Sequence, residues 1–343
     1  MFYIYRARRL IGTIERGHIY FFYRPKVQME EVESLKDVQN LTMLLVPRPA
    51  EWMTYVESAA QKVQEGTLEK AEPSETEMKV LAPGADVVPA PESVDTTKKH
   101  YRTIVVGRKH LPTEELMEGT GSRKRPVFWA TVTGVGDDLE SLERGLGEKT
   151  YETATRGTRH EASARLAARG VYAIVNKEAP DVPSKRESHF AYCISHPSAD
   201  SFGDVQHEMG ILPAAAFILQ VKNPLAPAVG PRQVRTSMKG EYSSQLMRAV
   251  FGAGTGGKGR HDYGLRFSPC ETPELLDYTG SQLLFIAVRE GLEGLEEAIG
   301  EERGKALAEA EEKDEKESVE KIYRELGFDM KQFPVEPLKG EWI

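Results

Sequence analysis

Cysteine is nearly absent: the chain of 343 residues has two, Cys193 and Cys270. Two thiols cannot build a disulfide scaffold or a cysteine-only tetrahedral zinc site, and so low a count suits a reducing compartment. Long apolar runs are missing too. No stretch reaches the roughly 18 residues that a membrane-spanning helix needs, which argues against a membrane partner. There is no basic excess either, with 45 Lys and Arg against 53 Asp and Glu and a net charge of −8. That balance does not support nucleic acid as the partner, though a local basic patch stays compatible with it. None of the histidines falls in H-x-H, H-x₃-H or H-E-x-x-H spacing, so no metal site is expected. No G-x-S-x-G elbow and no internal repeat occurs. No cofactor is expected. These readings place the protein inside the cell, in the cytoplasm or the nucleus.

What is present is a series of short apolar runs rich in aromatic and β-branched residues. They lie at Ile19–Tyr23, Leu41–Val46, Tyr101–Gly107, Val127–Thr133, Gly170–Val175, Ser188–Ile194, Ala215–Val221 and Gln282–Val288. Pro, Gly or Asn closes most of them, as expected for strands. Thr150 to Arg159 alternates weakly and reads as a further strand. Helical spacing is sparse. It covers Leu139, Leu142 and Leu146 behind an Asp N-cap, Asp204–Met209, Tyr242–Phe251 and, more weakly, Trp52–Gln64. Strands do not alternate with long helices, so a doubly wound parallel sheet is disfavoured. The expected class is α+β, β-rich, with a mostly antiparallel sheet or partly closed barrel, short inserted helices and long loops.

Three boundaries follow. Residues 1–16 read as an N-terminal extension, whose aromatics precede Arg6, Arg8 and Arg9, the reverse of a secretory signal. Residues 17–290 read as one β-rich domain. Its insertion over about 65–99 is too poor in large apolar residues to pack. Residues 291–343 read as an acidic, charged tail, helical or disordered. Glu301 to Lys321 holds nine acids and five bases.

The stretch Gly17–Lys26 (GHIYFFYRPK), Thr155–His160 with Gly170–Ile174, His189–Tyr192, Gly203–Gln206, Val221–Pro224 and Leu275–Tyr278 before Leu283–Ile286 occur in one order. Together they resemble a fungal family often labelled "BTB domain transcription factor". The resemblance covers roughly Gly17 to Val288 without the insertion. The label implies a nuclear, transcription-linked factor. A BTB fold would need helices outnumbering strands in a compact alternating run, and this strand-dominated chain departs from that pattern.

The segment Thr153-Ala-Thr-Arg-Gly-Thr-Arg-His160 gathers two guanidiniums, an imidazole and three hydroxyls around Gly157. A bulge at Gly157 would let Arg156, Arg159 and His160 converge on an anion, with His189 near if the strands pair as a hairpin. The bland reading is a solvated strand edge carrying defensive charges. The leading functional expectation is a non-catalytic binding module for an anionic small molecule or protein partner at Arg156, Arg159, His160 and His189. The alternative is an enzyme on a phosphorylated or nucleotide-like substrate, with His160 or His189 as acid–base and the arginines as charge clamps. The aromatic run Tyr20–Tyr23 beside Arg24 reads as core rather than a base-stacking surface. Cys193 reads as buried, Cys270 as exposed.

The tract Gly252-Ala-Gly-Thr-Gly-Gly-Lys-Gly259 fits G-x-G-x-x-G and nearly fits a phosphate-binding loop. Gly259 has no hydroxyl for magnesium, and a helix rather than a strand precedes it. Lys258→Ala is therefore expected to leave ATP affinity unchanged in equilibrium dialysis. A large loss would restore the phosphate-loop reading.

Overall fold

Alternation along the first strand sets the plan of the molecule. In β1 (Gly12–Pro25), Ile19, Phe21 and Tyr23 point to one apolar cluster, and Tyr20 and Phe22 point to another. Both faces are buried, as the dense aromatic run predicts, and Tyr20–Tyr23 is core on both sides.

The computed structural model describes residues 12–48, 98–111, 126–177, 186–227, 239–252 and 264–343. The expected helix over 52–64, the Gly-rich tract past Gly252 and most of the expected insertion lie outside the described residues. Residues 98 and 99, counted with that insertion, belong to a strand. Residues 12–16 likewise belong to β1, not to an N-terminal extension.

The further strands are β2 (Val38–Pro47), β3 (Lys98–Val106), β4 (Val127–Asp138), β5 (Lys149–Thr153), β6 (Gly157–Glu161), β7 (Arg165–Asn176), β8 (Ser188–His196), β9 (Ala214–Lys222), β10 (Phe267–Pro269) and β11 (Gln282–Glu290). Eight of them run β9-β11-β4-β3-β2-β1-β7-β8, antiparallel throughout. β8 then pairs with β9 from His189↔Ile218 to Cys193↔Ala214, which closes the barrel. The expected β-rich, antiparallel class is present, and the barrel is complete rather than partly open. β5 and β6 form a separate hairpin.

An eight-stranded barrel is just wide enough for side chains to fill. Here Phe21, Phe128, Tyr172, Phe190, Tyr192, Phe217 and Phe285 fill it, with edge-to-face and stacked contacts such as Phe128–Phe285 at 4.7 Å. Short helices stop the ends. Val205 and Met209 of α2 (Asp204–Glu208) join the core at one end, and Phe251 of α3 (Ser244–Phe251) joins it elsewhere. Helix α1 (Leu139–Leu146), capped by Asp138 as predicted, lies outside the barrel with Leu142 and Leu146 inward.

The segment after residue 290 takes the helical one of its two expected forms and packs on the barrel. It forms α4 (Gly291–Ile299), α5 (Glu301–Asp314) and α6 (Val319–Leu326). Leu295, Ile299, Leu307 and Ala310 cover the outer face of β7–β9, where Ala173, Ala191 and Ala216 leave room for a helix. Ile322, Leu326, Phe328 and Phe333 cover Tyr20 and Phe22. The acids lie on the solvent side of these helices, which is why composition alone reads as a solvated tail.

One acid does face inward. Asp314, 6% exposed, takes hydrogen bonds from Arg169 at 2.9 Å, His18 Nε2 at 3.1 Å and the Ser195 hydroxyl at 2.6 Å. Burial works against ionising this carboxyl, but these three partners outweigh it and hold its pKa below the ordinary value. Arg48 lies 2.8 Å from His18 Nδ1 and 3.4 Å from Glu325 of α6. A guanidinium has no acceptor, so His18 Nδ1 accepts and Nε2 carries the proton given to Asp314. The geometry thus fixes the neutral imidazole. Burial lowers the His18 pKa, Asp314 opposes, and Arg169 and Arg48 add to the lowering. His196, bonded to the Glu317 carbonyl at 2.9 Å, is also lowered, by burial first.

Both folded values lie below the ordinary 6.5. As pH falls through that value, the unfolded chain takes up protons first, so stability is present above it and lost below. The urea midpoint is expected to drop between about pH 7.5 and 5. Glutamine can accept from Arg48 and donate to Asp314 without titrating. His18→Gln should therefore flatten that drop and stay within about 1 kcal/mol of the parent at neutral pH. A midpoint that rises on acidification would show His18 to be cationic in the fold.

Candidate functional site

The sequence-predicted residues divide between two places. Ala154, Thr155 and Arg156 form the turn of the β5–β6 hairpin, and Gly157 follows at φ +66°. Glycine suits this left-handed position in a three-residue hairpin loop. The Thr153 hydroxyl holds the turn, accepting from the Arg156 amide at 3.2 Å and donating to the Gly157 carbonyl at 3.1 Å. Gly157 thus reverses the chain and does not aim three side chains at one point. Arg156 is exposed at the tip. Arg159 donates to the side-chain carbonyl of Gln28. His160 Nδ1 lies 3.3 Å from Glu148. Residues 148–161 balance Lys149, Arg156 and Arg159 against Glu148, Glu152 and Glu161.

His189 does not join them. It is 2% exposed, on β8 opposite Val175. The hairpin sits by Gln28, just past the end of β1 where Tyr23 pairs with Arg165. From Arg165 to Val175 is ten residues along β7, about 30 Å of strand. His160 and His189 are therefore at opposite ends of the barrel, and the hairpin pairing that would have joined them is not formed.

A cavity of about 350 Å³ opens beside the hairpin instead, on the outer wall of β2–β4. Its floor is Thr42, Tyr101, Thr103, Val105, Thr133 and Val135, with Ser141 and Gly145 of α1 along one side. Lys149 and Glu161 of the hairpin and Gln39 stand at the other. A β-bulge between Thr103 and Ile104 breaks the β3–β4 register here. Gly134 keeps the floor open, because a Cβ there would meet the Thr103 hydroxyl at 2.7 Å. Strand periodicity could have revealed this wall. Thr42, Thr103 and Thr133 fall on the outward phase of strands whose inward residues are apolar.

Arg24 closes one corner of the groove. Its Nη1 donates to the carbonyls of Gly147 at 3.1 Å and Ala162 at 2.7 Å, and its Nη2 to those of Gly145 at 3.2 Å and Leu146 at 3.0 Å. Three of these carbonyls end α1, so the guanidinium caps that helix C-terminus and meets its negative dipole end. Burial lowers the Arg24 pKa and Glu161 opposes that shift.

Two other polar clusters lie away from the groove. Inside the barrel, Arg102 bonds both oxygens of Glu15 at 2.6 and 2.8 Å and Asp277 at 2.6 Å, and Tyr172 donates to Glu15 at 2.7 Å. On the outer wall, the Asp314 cluster is enclosed by the C-terminal helices. Cys270, expected to be exposed, is fully buried, and burial raises its pKa. Cys193 is buried as expected and pushed up to about 12. Among the described residues no group of His, Cys, Asp and Glu could hold a metal ion, and no helix is long and apolar enough to cross a membrane. The chain matches no protein-family model, no curated protein and no solved structure. Its chemistry is legible in its own geometry alone.

Arg159 and Arg24 should behave differently when shortened. Arg159→Ala, at a half-exposed residue, is expected to shift stability by less than about 0.5 kcal/mol. Arg24→Ala removes four hydrogen bonds, leaving only the Leu146 carbonyl its second donor, the Ala164 amide, and should cost about 3 kcal/mol. Thermal or urea unfolding of the two variants compares them directly. Equal losses would mean that Arg159 is a structural anchor.

Proposed function

We propose that the protein is a non-catalytic binding module and that its ligand sits in the groove over β2–β4. The observation that carries this reading is a change in the outer wall. Over β1 and β7–β9 that wall is apolar and covered by residues of the C-terminal segment. Over β2–β4 threonines interrupt it, with Thr42, Thr103 and Thr133 beside the covered Leu44, Val46 and Tyr101, and a cavity lies between α1 and the hairpin. Concave, mixed polar and apolar sites of this size are where small ligands bind.

The distance between His160 and His189 weighs against an enzyme that uses both on one phosphorylated substrate. The arginine cluster supports an anionic ligand less well than its sequence spacing implies, since Arg159 is engaged with Gln28 and the hairpin's charges balance. A nuclear, transcription-linked role draws on the family label alone.

Gly145 supplies the test. It shares the groove-facing flank of α1 with Ser141, one helical turn earlier, and a Cβ added there meets nothing within 4 Å. Gly145→Trp should fold, since leaving glycine in a helix favours the fold by up to about 1 kcal/mol. It should abolish any melting-temperature rise that small polar compounds give the parent protein. A ligand-induced rise that survives in Gly145→Trp would move the binding site elsewhere.

A further inference from the structure

We propose that the groove takes a neutral polyhydroxylated ligand, a short saccharide, rather than an anion. This rests on the groove being the binding site and adds the chemistry of its occupant.

Anions are held by donors, and several of the groove's donors are already committed. The Thr103 hydroxyl donates to the Gly134 carbonyl at 3.3 Å, and the Thr133 hydroxyl to the Thr103 carbonyl at 3.2 Å. A hydroxyl has one proton and two lone pairs, so what these side chains turn outward is acceptor capacity. Arg24 has four N–H bonds placed on backbone carbonyls. Lys149 stands across from the carboxylate of Glu161, which accepts from Gln39 at 3.4 Å and adds further acceptor sites. A phosphate or carboxylate would meet the Lys149 ammonium, but with it the Glu161 carboxylate on the paired strand and the threonine lone pairs.

A saccharide has the complementary set. Each of its hydroxyls can donate to a threonine oxygen or to Glu161. Its C–H faces match Val105 and the aliphatic side of α1 at Leu142 and Leu146. A bidentate carboxylate–diol contact at Glu161 would also select vicinal hydroxyls.

The test is a thermal-shift and calorimetric titration of the full chain with glucose, maltose and cellobiose, and separately with inorganic phosphate and citrate. At least one saccharide is expected to bind saturably. Thr103→Val and Thr133→Val keep side-chain shape but lose the acceptor oxygen, and each should weaken that binding about ten-fold. Gly145→Trp should abolish it. Phosphate or citrate binding that Gly145→Trp removes, with no saccharide response, would overturn the ligand class and leave the groove as the site. Saccharide binding unchanged in Gly145→Trp would overturn both. Binding to parent and threonine variants alike would overturn the acceptor argument even with the saccharide correct. No response to any of these saccharides overturns the proposal.

Discussion

The pairing of β8 with β9 is the contact on which the rest of the molecule depends. Without it, two strands would present open backbone edges and the sheet would have no inside. With it, every strand residue is assigned to the interior or to the outer wall, and the interior is filled by rings. The outer wall then poses a second problem. β1 and β7–β9 carry apolar residues outward as well as inward, and an apolar wall in water has to be covered. Residues after 290 cover it. On β2–β4 the outward Leu44, Val46 and Tyr101 share that cover, and the groove occupies the part of the wall where Thr42, Thr103 and Thr133 leave it wettable.

Covering a wall built from alanine and valine with helices rich in alanine and leucine leaves their position weakly defined. The hydrogen bonds to Asp314 are directional. They join β1, β7 and β8 to the end of α5, and Arg48 continues the set to α6. A carboxylate at a helix C-terminus is electrostatically unfavourable. Its three partners offset that cost and place the cover in one register.

Much of the architecture was legible in the sequence, because each barrel strand is a compact β-branched or aromatic run with a breaker beside it. The eight runs read from the sequence are the eight barrel strands. Closure was less visible, since a run such as Ala215–Val221 looks the same at an edge and in a closed sheet. The C-terminal helices were obscured by their acids. In α5 the residues that bury it are mostly small, Gly304, Ala306 and Ala310, and carry little hydrophobic signal. At the candidate site, local clustering misled. Arg156, Arg159 and His160 are adjacent because they share a hairpin, and His189 is sequence-near but lies a strand's length away. The groove drew residues from five separate segments, which spacing along one chain does not show.

Chain order gives the outer cover a kinetic meaning. β1 is made before the helices that cover it, and its outward rings Tyr20 and Phe22 meet Phe328 and Leu326 only after some three hundred further residues have been made. The barrel also needs β1 to pair with β7 and β8 with β9, contacts that close long loops. During synthesis the nascent strands thus carry apolar surface on both faces with nothing yet to bury the outer one. Such intermediates are aggregation-prone. How long that outer face stays bare during synthesis is therefore set by how late the covering helices arrive rather than by the strength of the finished fold.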